Sequence, residues 1–328
     1  MPTSDEAVAA AIFTIDEFVK GVDDSIVDEV VEYYWFKDRA KKFRFNAGGT
    51  GVSWNVRLDR GTVEGFNRAK RLSVVRKNRV QQARLTNRGY GIGELIHTTD
   101  LWENRSPEKI TDFLDELLTG MTSDMVDALG TGIYDDGASG NHDNLGFQGA
   151  DAALIASGNY AGLSTTTFTG WASNVGTGDP YDAFSDDPLP ALDKAIADCR
   201  AGLKGGRSRT SPDVGFMTHD NWNVCLQTFM RRQRLAQDAK AVNAGWNDNF
   251  VYRGVTFFPS DYVSNGSLGV NGLYLFNSKW VDFRFPSPKL INQFRYDEGV
   301  PKALYIIMIV YGLMRFRQPR TCGKFTIT

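Results

Sequence analysis

Hydrophobic residues recur at helical spacing through the first part of the chain, over residues 4–36. Residues three and four apart share one face of a helix, so this spacing predicts an amphipathic helical segment with a break at Gly21. Apolar and polar residues then alternate over 52–58, which is the period of a half-buried β-strand. A second extended stretch is predicted over 79–95, after a basic turn region.

These two extended stretches predict a long two-stranded ribbon. Two strands of about 15 residues at ~3.3 Å per residue span roughly 50 Å. A ribbon of only two strands is marginally stable in water, and the sequence offers no obvious cover for this one. We therefore expect it to lie on a neighbouring subunit.

The most regular helical pattern in the chain covers residues 106–130. Ser106 is a candidate N-cap, and Pro107 fits the first helical position. A continuous apolar stripe follows, and we expect Gly130 and Gly132 to end the helix. About 25 residues at 1.5 Å each make a strut of nearly 40 Å.

The composition and hydrophobic pattern of the remaining chain change near residue 180. Residues 133–180 are rich in Gly, Ser, Thr and Asn, and so long a loop is uncommon in a compact domain. We expect short strands there, or contact with neighbouring copies. Beyond it we predict alternating helices and strands. The helices cover 188–203 and the residues after Thr218, which is the expected cap. The strands cover 213–218, 255–259, 272–276 and 303–314, the last bent or ended near Gly312, and a final short strand lies around Phe325.

The composition is that of an ordinary globular protein. The 328 residues carry a formal net charge of −2, with 42% hydrophobic and 23% charged residues, which argues against a disordered or fibrous chain. The longest apolar run, 303–314, is shorter than the ~20 residues that a membrane helix needs. The N-terminus lacks the basic start and apolar core of a signal peptide, so we expect neither export nor a membrane.

Charge is distributed unevenly along the chain. Residues 5–32 hold nine acids and one base, whereas residues 57–88 hold ten bases and two acids. Self-association between acidic and basic segments of different copies is the first interpretation. Nucleic-acid binding by the basic segment is an alternative interpretation. The simplest interpretation is that both segments form charged faces in contact with solvent.

Residues that carry chemistry are few. His219 and Asp220 are adjacent, but no Gly-x-Ser-x-Gly elbow supplies a nucleophile. The three cysteines and three histidines are widely separated and lack the spacing of a zinc site. We expect no cofactor, no metal and no catalytic turnover.

Several local sequences occur in an order that is informative. They are Gly146-Phe-Gln-Gly149, Gly158-Asn-Tyr-Ala-Gly-Leu163 with Trp171, Phe216-Met-Thr-His-Asp-Asn-Trp222, Gly254-Val-Thr-Phe-Phe-Pro-Ser260, Gly272-Leu-Tyr-Leu-Phe276 and the 303–314 strand. Placed after an arm, a ribbon and a long helix, they resemble the major capsid proteins of tailed bacteriophages, which have the Hong-Kong-97-like shell fold. The resemblance covers nearly the whole chain.

This resemblance implies an α+β fold with four parts. They are an N-terminal arm (1–45), an extended two-stranded loop (46–97), a peripheral domain with a spine helix at 106–130 (98–180 and 286–328) and an axial α/β domain (181–285). It implies self-assembly into hexamers and pentamers that form an icosahedral head around double-stranded DNA, which is held without sequence specificity. The implied partners are portal, scaffolding and decoration proteins, and the implied location is the virion capsid, assembled in the host cytoplasm.

The same resemblance directs attention to three sets of inter-subunit contacts. In the extended loop these are Trp54, Arg57, Arg68, Lys70, Arg71, Arg76, Lys77 and Arg79. In the acidic arm they are Asp16, Glu17, Asp23, Asp24, Asp28 and Glu29. At the axial centre of a capsomer they are Arg231, Arg232, Arg234 and Trp246.

Alternatives to a phage head remain open at this point. The same fold could serve an encapsulin-like cellular compartment, which the particle contents would distinguish. A hydrolase that uses His219 with Asp220 belongs to another class, and the basic segment could make a nucleic-acid-binding module. Lys70 and Lys77 are also placed for the lysine of the covalent crosslink that some capsid proteins form, although a solvated basic loop is the simpler interpretation.

Overall fold

A computed structural model describes residues 29–45, 49–58, 80–97, 107–138, 145–201, 211–232, 249–286, 291–300 and 303–328. The helices are α1 (Val31–Tyr34, continued by a π-helical turn at Trp35–Arg39), α2 (Pro107–Tyr134), α3 (Ala150–Ala153), α4 (Pro188–Ala201) and α5 (His219–Arg232). The strands are β1 (Phe43–Phe45), β2 (Gly51–Arg57), β3 (Val80–Thr86), β4 (Arg88–His97), β5 (Asn159–Tyr160), β6 (Leu163–Ser164), β7 (Asn174–Gly176), β8 (Val214–Met217), β9 (Phe250–Tyr252), β10 (Val255–Pro259), β11 (Gly272–Phe276), β12 (Val281–Phe285), β13 (Ile291–Val300), β14 (Ala303–Phe316) and β15 (Gly323–Thr326).

Two larger sheets organise these strands. The peripheral sheet is built on β14, which pairs with β13, β4 and β12, and β1 adds to β12 in parallel. The axial sheet has the order β7-β15-β11-β8-β10-β9. Within it β8 and β10 run parallel, whereas β11 is antiparallel to both β8 and β15.

The axial sheet is buried on both faces, as its continuous apolar strands predict. In β11, Leu273 and Leu275 belong to a hydrophobic core shared with α4 and α5. The alternate residues Tyr274 and Phe276 belong to the larger core on the other side. Because alternate residues of a strand point to opposite faces, this one sheet contributes side chains to both cores.

The short α1 segment lies between the two sheets. Tyr33 and Phe36 pack against Phe283 of the peripheral sheet, with ring centroids 5.2 and 5.4 Å apart. Trp35 packs against Phe258 of the axial sheet at 5.6 Å. Of the helical segment predicted over 4–36, the part before residue 29 lies outside the described residues.

The long helix α2 continues past the glycines that were expected to end it. It runs to Tyr134, so the predicted end was wrong. A Cβ at Gly130 would lie 2.6 Å from the ring of Tyr262, and one at Gly132 would lie 2.3 Å from Tyr90 Oη. These glycines allow two tyrosines to approach the helix closely, and the chain turns only afterwards, at Gly137 with φ +74°.

The predicted ribbon is divided in the structure. β2 and β3 pair over seven residues, but the second predicted stretch breaks after Thr86, and β4 pairs with β14 in the peripheral sheet. The base of the ribbon is covered by its own chain, because Val56 and Leu85 are buried in the main core. The prediction that no part of this chain packs against the ribbon was therefore wrong for the base of the ribbon. The segment between residues 58 and 80 lies outside the described residues.

Two further local predictions were wrong: an end of the long strand near Gly312, which was one of the two alternatives there, and a helix cap at Thr218. Strand β14 passes through Gly312, where a Cβ would lie 2.6 Å from the carbonyl oxygen of Arg284, so the glycine permits close strand packing and does not end the strand. Thr218 precedes α5, but its hydroxyl donates to the carbonyl oxygen of Val270 at 3.0 Å instead of capping the helix.

The sheets also cross the predicted domain boundaries. β7 and β15 come from the segments expected in the peripheral domain, yet they pair within the axial sheet. β12 comes from the segment expected in the axial domain, yet it pairs with β14. In the described part of the chain, no helix is long and apolar enough to cross a membrane.

Candidate assembly site

A buried carboxyl group joins the arm, the spine helix and the axial sheet. Glu32 is fully buried, and its Oε1 accepts a hydrogen bond from Tyr134 Oη at 2.5 Å and another from the hydroxyl of Ser260. Its Oε2 has no hydrogen-bond partner. Burial raises the pKa of Glu32, and the two hydrogen bonds oppose this increase only in part. The sequence gives no signal for this role, because Glu32 is the last member of an acidic run.

A cavity of about 130 Å³ lies beside Glu32 and contains the proposed hydrolase residue. His219 Nε2 lies 3.4 Å from Asp261 Oδ1, so its carboxylate partner is Asp261 and not the predicted Asp220. Both side chains of this pair are more than half exposed. Ser260 is the serine that lines this cavity, and its hydroxyl donates to Glu32 instead of to His219. This geometry does not favour the hydrolase alternative.

The base of the ribbon rests on a buried ion pair. Arg315 of β14 donates to both carboxylate oxygens of Asp282 on β12, at 2.8 and 2.5 Å, and both side chains are less than 10% exposed. The Arg315 guanidinium lies 5.3 Å from the ring centroid of Trp54 on β2. A backbone hydrogen bond from Arg84 to Ala161, at 3.0 Å, holds β3 as well. The predicted contact residue Trp54 thus uses one ring face within its own chain.

A second buried pair ties the C-terminal strand to the main core. Lys324 Nζ on β15 lies 2.8 Å from Asp151 Oδ1 on α3, and Tyr274 Oη on β11 donates to the same oxygen at 3.1 Å. Neither this pair nor Asp282–Arg315 is predictable from the sequence, because residues far apart along the chain supply the two partners.

The predicted contact residues are only partly within the described chain. Arg57 is exposed at the end of β2, and Glu29 is exposed just before α1. Arg231 and Arg232 form the last positions of α5, although their side chains are not described. Outside the described residues lie Arg68, Lys70, Arg71, Arg76, Lys77, Arg79, Asp16, Glu17, Asp23, Asp24, Asp28, Arg234 and Trp246. The structure therefore brings none of the three predicted sets together within one chain's described part.

The thiols are packing groups. All three cysteines are buried and free, and burial raises the pKa of each, that of Cys322 to about 12. Across the described residues, no group of three or more His, Cys, Asp or Glu side chains is arranged to hold a metal ion.

Comparison with known proteins identifies the fold. The sequence matches no protein-family model, and no curated protein sequence is significantly similar to it. Among solved structures, the chain is similar to the Cyanophage A-1(L) capsid subunit, with a TM-score of 0.63 and 15% identity over 87% of this chain and 89% of that chain. The capsid of the native GTA particle matches with a TM-score of 0.54 and 11% identity, over 88% of this chain and 89% of that chain. The capsid of the Myoviridae phage XM1 matches with a TM-score of 0.52 and 13% identity, over 87% of this chain and 90% of that chain.

These matches first define a class of fold, the one seen in these capsid structures, because each alignment covers most of both chains. More narrowly, the chain has the Hong-Kong-97-like capsid fold, and the fold expected from the order of the sequence segments is confirmed.

Proposed function

We propose that this chain is a major capsid protein that assembles into hexamers and pentamers and forms the icosahedral head of a tailed phage around double-stranded DNA. The observation that carries this proposal is an alignment with a phage capsid subunit over 87% of this chain and 89% of the other. In the proposed role the chain is structural and performs no catalytic turnover.

The proposed role also assigns positions to the predicted contacts. The extended loop from Trp54 to Arg79 lies over an adjacent subunit, and the acidic arm from Asp16 to Glu29 crosses to another copy. The end of α5, with Arg231 and Arg232, lies near the centre of the capsomer, followed by Arg234 and Trp246. Portal, scaffolding and decoration proteins are the proposed further partners, and the virion capsid assembled in the host cytoplasm is the proposed location.

The physical support for assembly is the segregation of charge. Residues 1–32 carry a net charge of −8, and since the whole chain carries −2, the remaining residues carry +6. Copies that place the acidic part of one chain on the basic part of another remove this imbalance. The near-neutral total also suits a container that must release its DNA instead of holding it tightly.

Light scattering and negative-stain microscopy of the purified protein test this proposal, with the protein expressed alone and with its scaffolding protein. Rings or closed shells of megadalton mass are the expected result. Particles filled with protein cargo instead of DNA would move the assignment to a cellular compartment. A chain that stays monomeric under both conditions would contradict the proposal.

A further inference from the structure

The segment formed by α1 and its π-helical turn depends on contacts with the rest of the chain. The helix has four residues, and no side chain caps its N-terminus at Val30. A helix of this length is not stable on its own in water. Tyr33, Trp35 and Phe36 pack against the two larger sheets and hold the segment between them. Residues 31–39 are therefore a unit that opens from both sheets together when these contacts weaken.

Glu32 is the buried polar group among these contacts. Its Oε1 accepts hydrogen bonds from Tyr134, at the end of α2, and from Ser260, directly after β10. Its Oε2 has no hydrogen-bond partner. Because Oε1 already accepts two hydrogen bonds, a proton on the carboxyl group belongs on Oε2. Without this proton, Oε2 carries negative charge inside the fold with no group to compensate it.

The titratable groups around Glu32 are acids, phenols and one imidazole. From the arm, α2, α5 and the segment after β10 they are Glu29, Tyr33, Tyr134, His219, Asp261 and Tyr262. Tyr90 of β4 and Tyr274 of β11 lie behind Tyr33 and Tyr134. Of the described residues that line the cavity or hydrogen-bond to Glu32, none is lysine or arginine, and His219 lies beside Asp261 at 3.4 Å.

We propose that Glu32 is a pH-sensitive switch: its protonated form holds α1 between the two sheets, and loss of the proton increases the opening of residues 31–39 from both sheets. Opening transfers the ionised carboxylate to water, where its charge is solvated. The packing of Tyr33, Trp35 and Phe36 keeps the closed state predominant, so the switch changes the population of a minor open state. The inference concerns a single subunit and goes beyond the proposed capsid function, which it does not require.

The direction of the pH dependence follows from proton binding. In the closed state burial raises the pKa of Glu32, whereas in the open state it returns to the ordinary value of 4.5. Between these two values the closed state binds one more proton than the open state. The opening constant of residues 31–39 therefore rises with pH, by up to about tenfold per pH unit. Below 4.5 both states are protonated and above the raised pKa both are ionised, so the constant is level there.

Native-state hydrogen exchange of the full-length protein between about pH 4 and 8 tests this inference. The amides of Tyr34, Trp35 and Ala40 are the reporters, because each donates a hydrogen bond within or next to the segment. Amides of β11, in the middle of the axial sheet, report global unfolding. Comparison of each variant with the wild type at the same pH separates the opening constant from the intrinsic pH dependence of exchange.

Three variants accompany the wild type. Glu32→Gln removes the titration, and Glu29→Gln is the matched control, which makes the same chemical change at an exposed carboxyl group beside the same cavity. Ser260→Ala keeps Glu32 but removes a hydrogen bond that lowers the pKa of Glu32. This third variant also tests the inference if Glu32→Gln does not fold.

We expect the opening constant of the reporters to rise by up to about tenfold per pH unit in the wild type and in E29Q, and to stay level in E32Q. In S260A the rise should continue to higher pH than in the wild type. At the upper end of the pH range, the reporters should exchange from a larger opening constant than the β11 amides.

Three results would overturn the inference. A level constant in the wild type would mean that Glu32 does not control opening, as when water in the cavity solvates its carboxylate with α1 in place. The same rise in E32Q as in the wild type, or a rise in S260A that ends at the wild-type pH, would assign the pH dependence to another group. Identical opening constants for the reporters and the β11 amides at every pH would show global unfolding without a local switch.

Discussion

At the scale of single residues, the most unusual group is the Glu32 carboxyl. It lies where the arm, the spine helix and the axial sheet meet, and it is held there by Tyr134 and Ser260. Burial raises the pKa of Glu32 and the charge of Asp261 adds to the increase, whereas the hydrogen bonds from Ser260 and Tyr134 lower it.

Replacing Glu32 with Gln should flatten the dependence of stability on pH. The folded protein keeps Glu32 protonated above the ordinary glutamate pKa of 4.5, whereas the unfolded chain ionises there. Because the folded state then binds more protons, the wild-type free energy of unfolding falls as pH rises from about 4.5 towards the raised pKa. Urea unfolding at several pH values between about 4 and 8 measures this fall, and E32Q should lack the part due to Glu32. Parallel pH profiles for the two proteins would show that Glu32 is ionised in the fold.

The glycines of α2 give a second test at the residue scale. Alanine normally stabilises a helix interior relative to glycine by about 1 kcal/mol, and Gly120→Ala should do so because nothing lies within 4 Å of the added Cβ. Gly130→Ala should instead destabilise the protein by about 1–3 kcal/mol, because the Tyr262 ring must move. Thermal unfolding of the two variants measures the difference. If both variants are stabilised equally, Gly130 has no packing role.

At the scale of elements, the ion pair between β12 and β14 fixes the base of the ribbon. Asp282 and Arg315 are both buried, so removing Arg315 replaces two short hydrogen bonds to the buried carboxylate with the longer contact to Arg284 at 3.4 Å. Arg315→Ala should therefore lower the free energy of unfolding by about 3 kcal/mol or more.

The matched control for this variant is Lys194→Ala, which removes an exposed i,i+4 pair with Asp198. Surface pairs contribute about 0.2–1 kcal/mol, so this variant should stay close to the wild type in denaturant unfolding. Equal losses in the free energy of unfolding for both variants would show that the buried ion pair of Arg315 stabilises the fold no more than an exposed pair does.

Local pattern was enough to predict elements but not their partners. The period of two predicted β2, a continuous apolar run predicted β14, and the apolar stripe predicted α2, because burial leaves its signature along the chain. The ends of α2 and β14 were misplaced, since glycines such as Gly130 and Gly312 meet groups distant in sequence. Sheet membership failed for the same reason, because β12 and β15 find their partners across the fold and no local signal records this pairing.

At the scale of the whole molecule, the proposed assembly rests on the separation of acidic and basic residues along the chain. Charge reversal at Arg76, Lys77 and Arg79 should prevent shell formation, because the loop would then repel the surface on which it lies. The subunit should remain folded, as judged by its thermal unfolding. Normal particles from this variant would remove the electrostatic part of the proposal, and loss of folding would show that these bases act within one subunit.

The most direct test of the central claim is a cryo-electron microscopy reconstruction of particles purified after expression with the scaffolding protein. The account predicts an icosahedral shell in which this chain occupies both fivefold and sixfold capsomers. The end of α5 should lie at the capsomer centre, and the ribbon that begins with β2 and β3 should lie on the next copy. Particles in which α5 points away from every symmetry axis, or in which the ribbon folds back on its own subunit, would contradict the account.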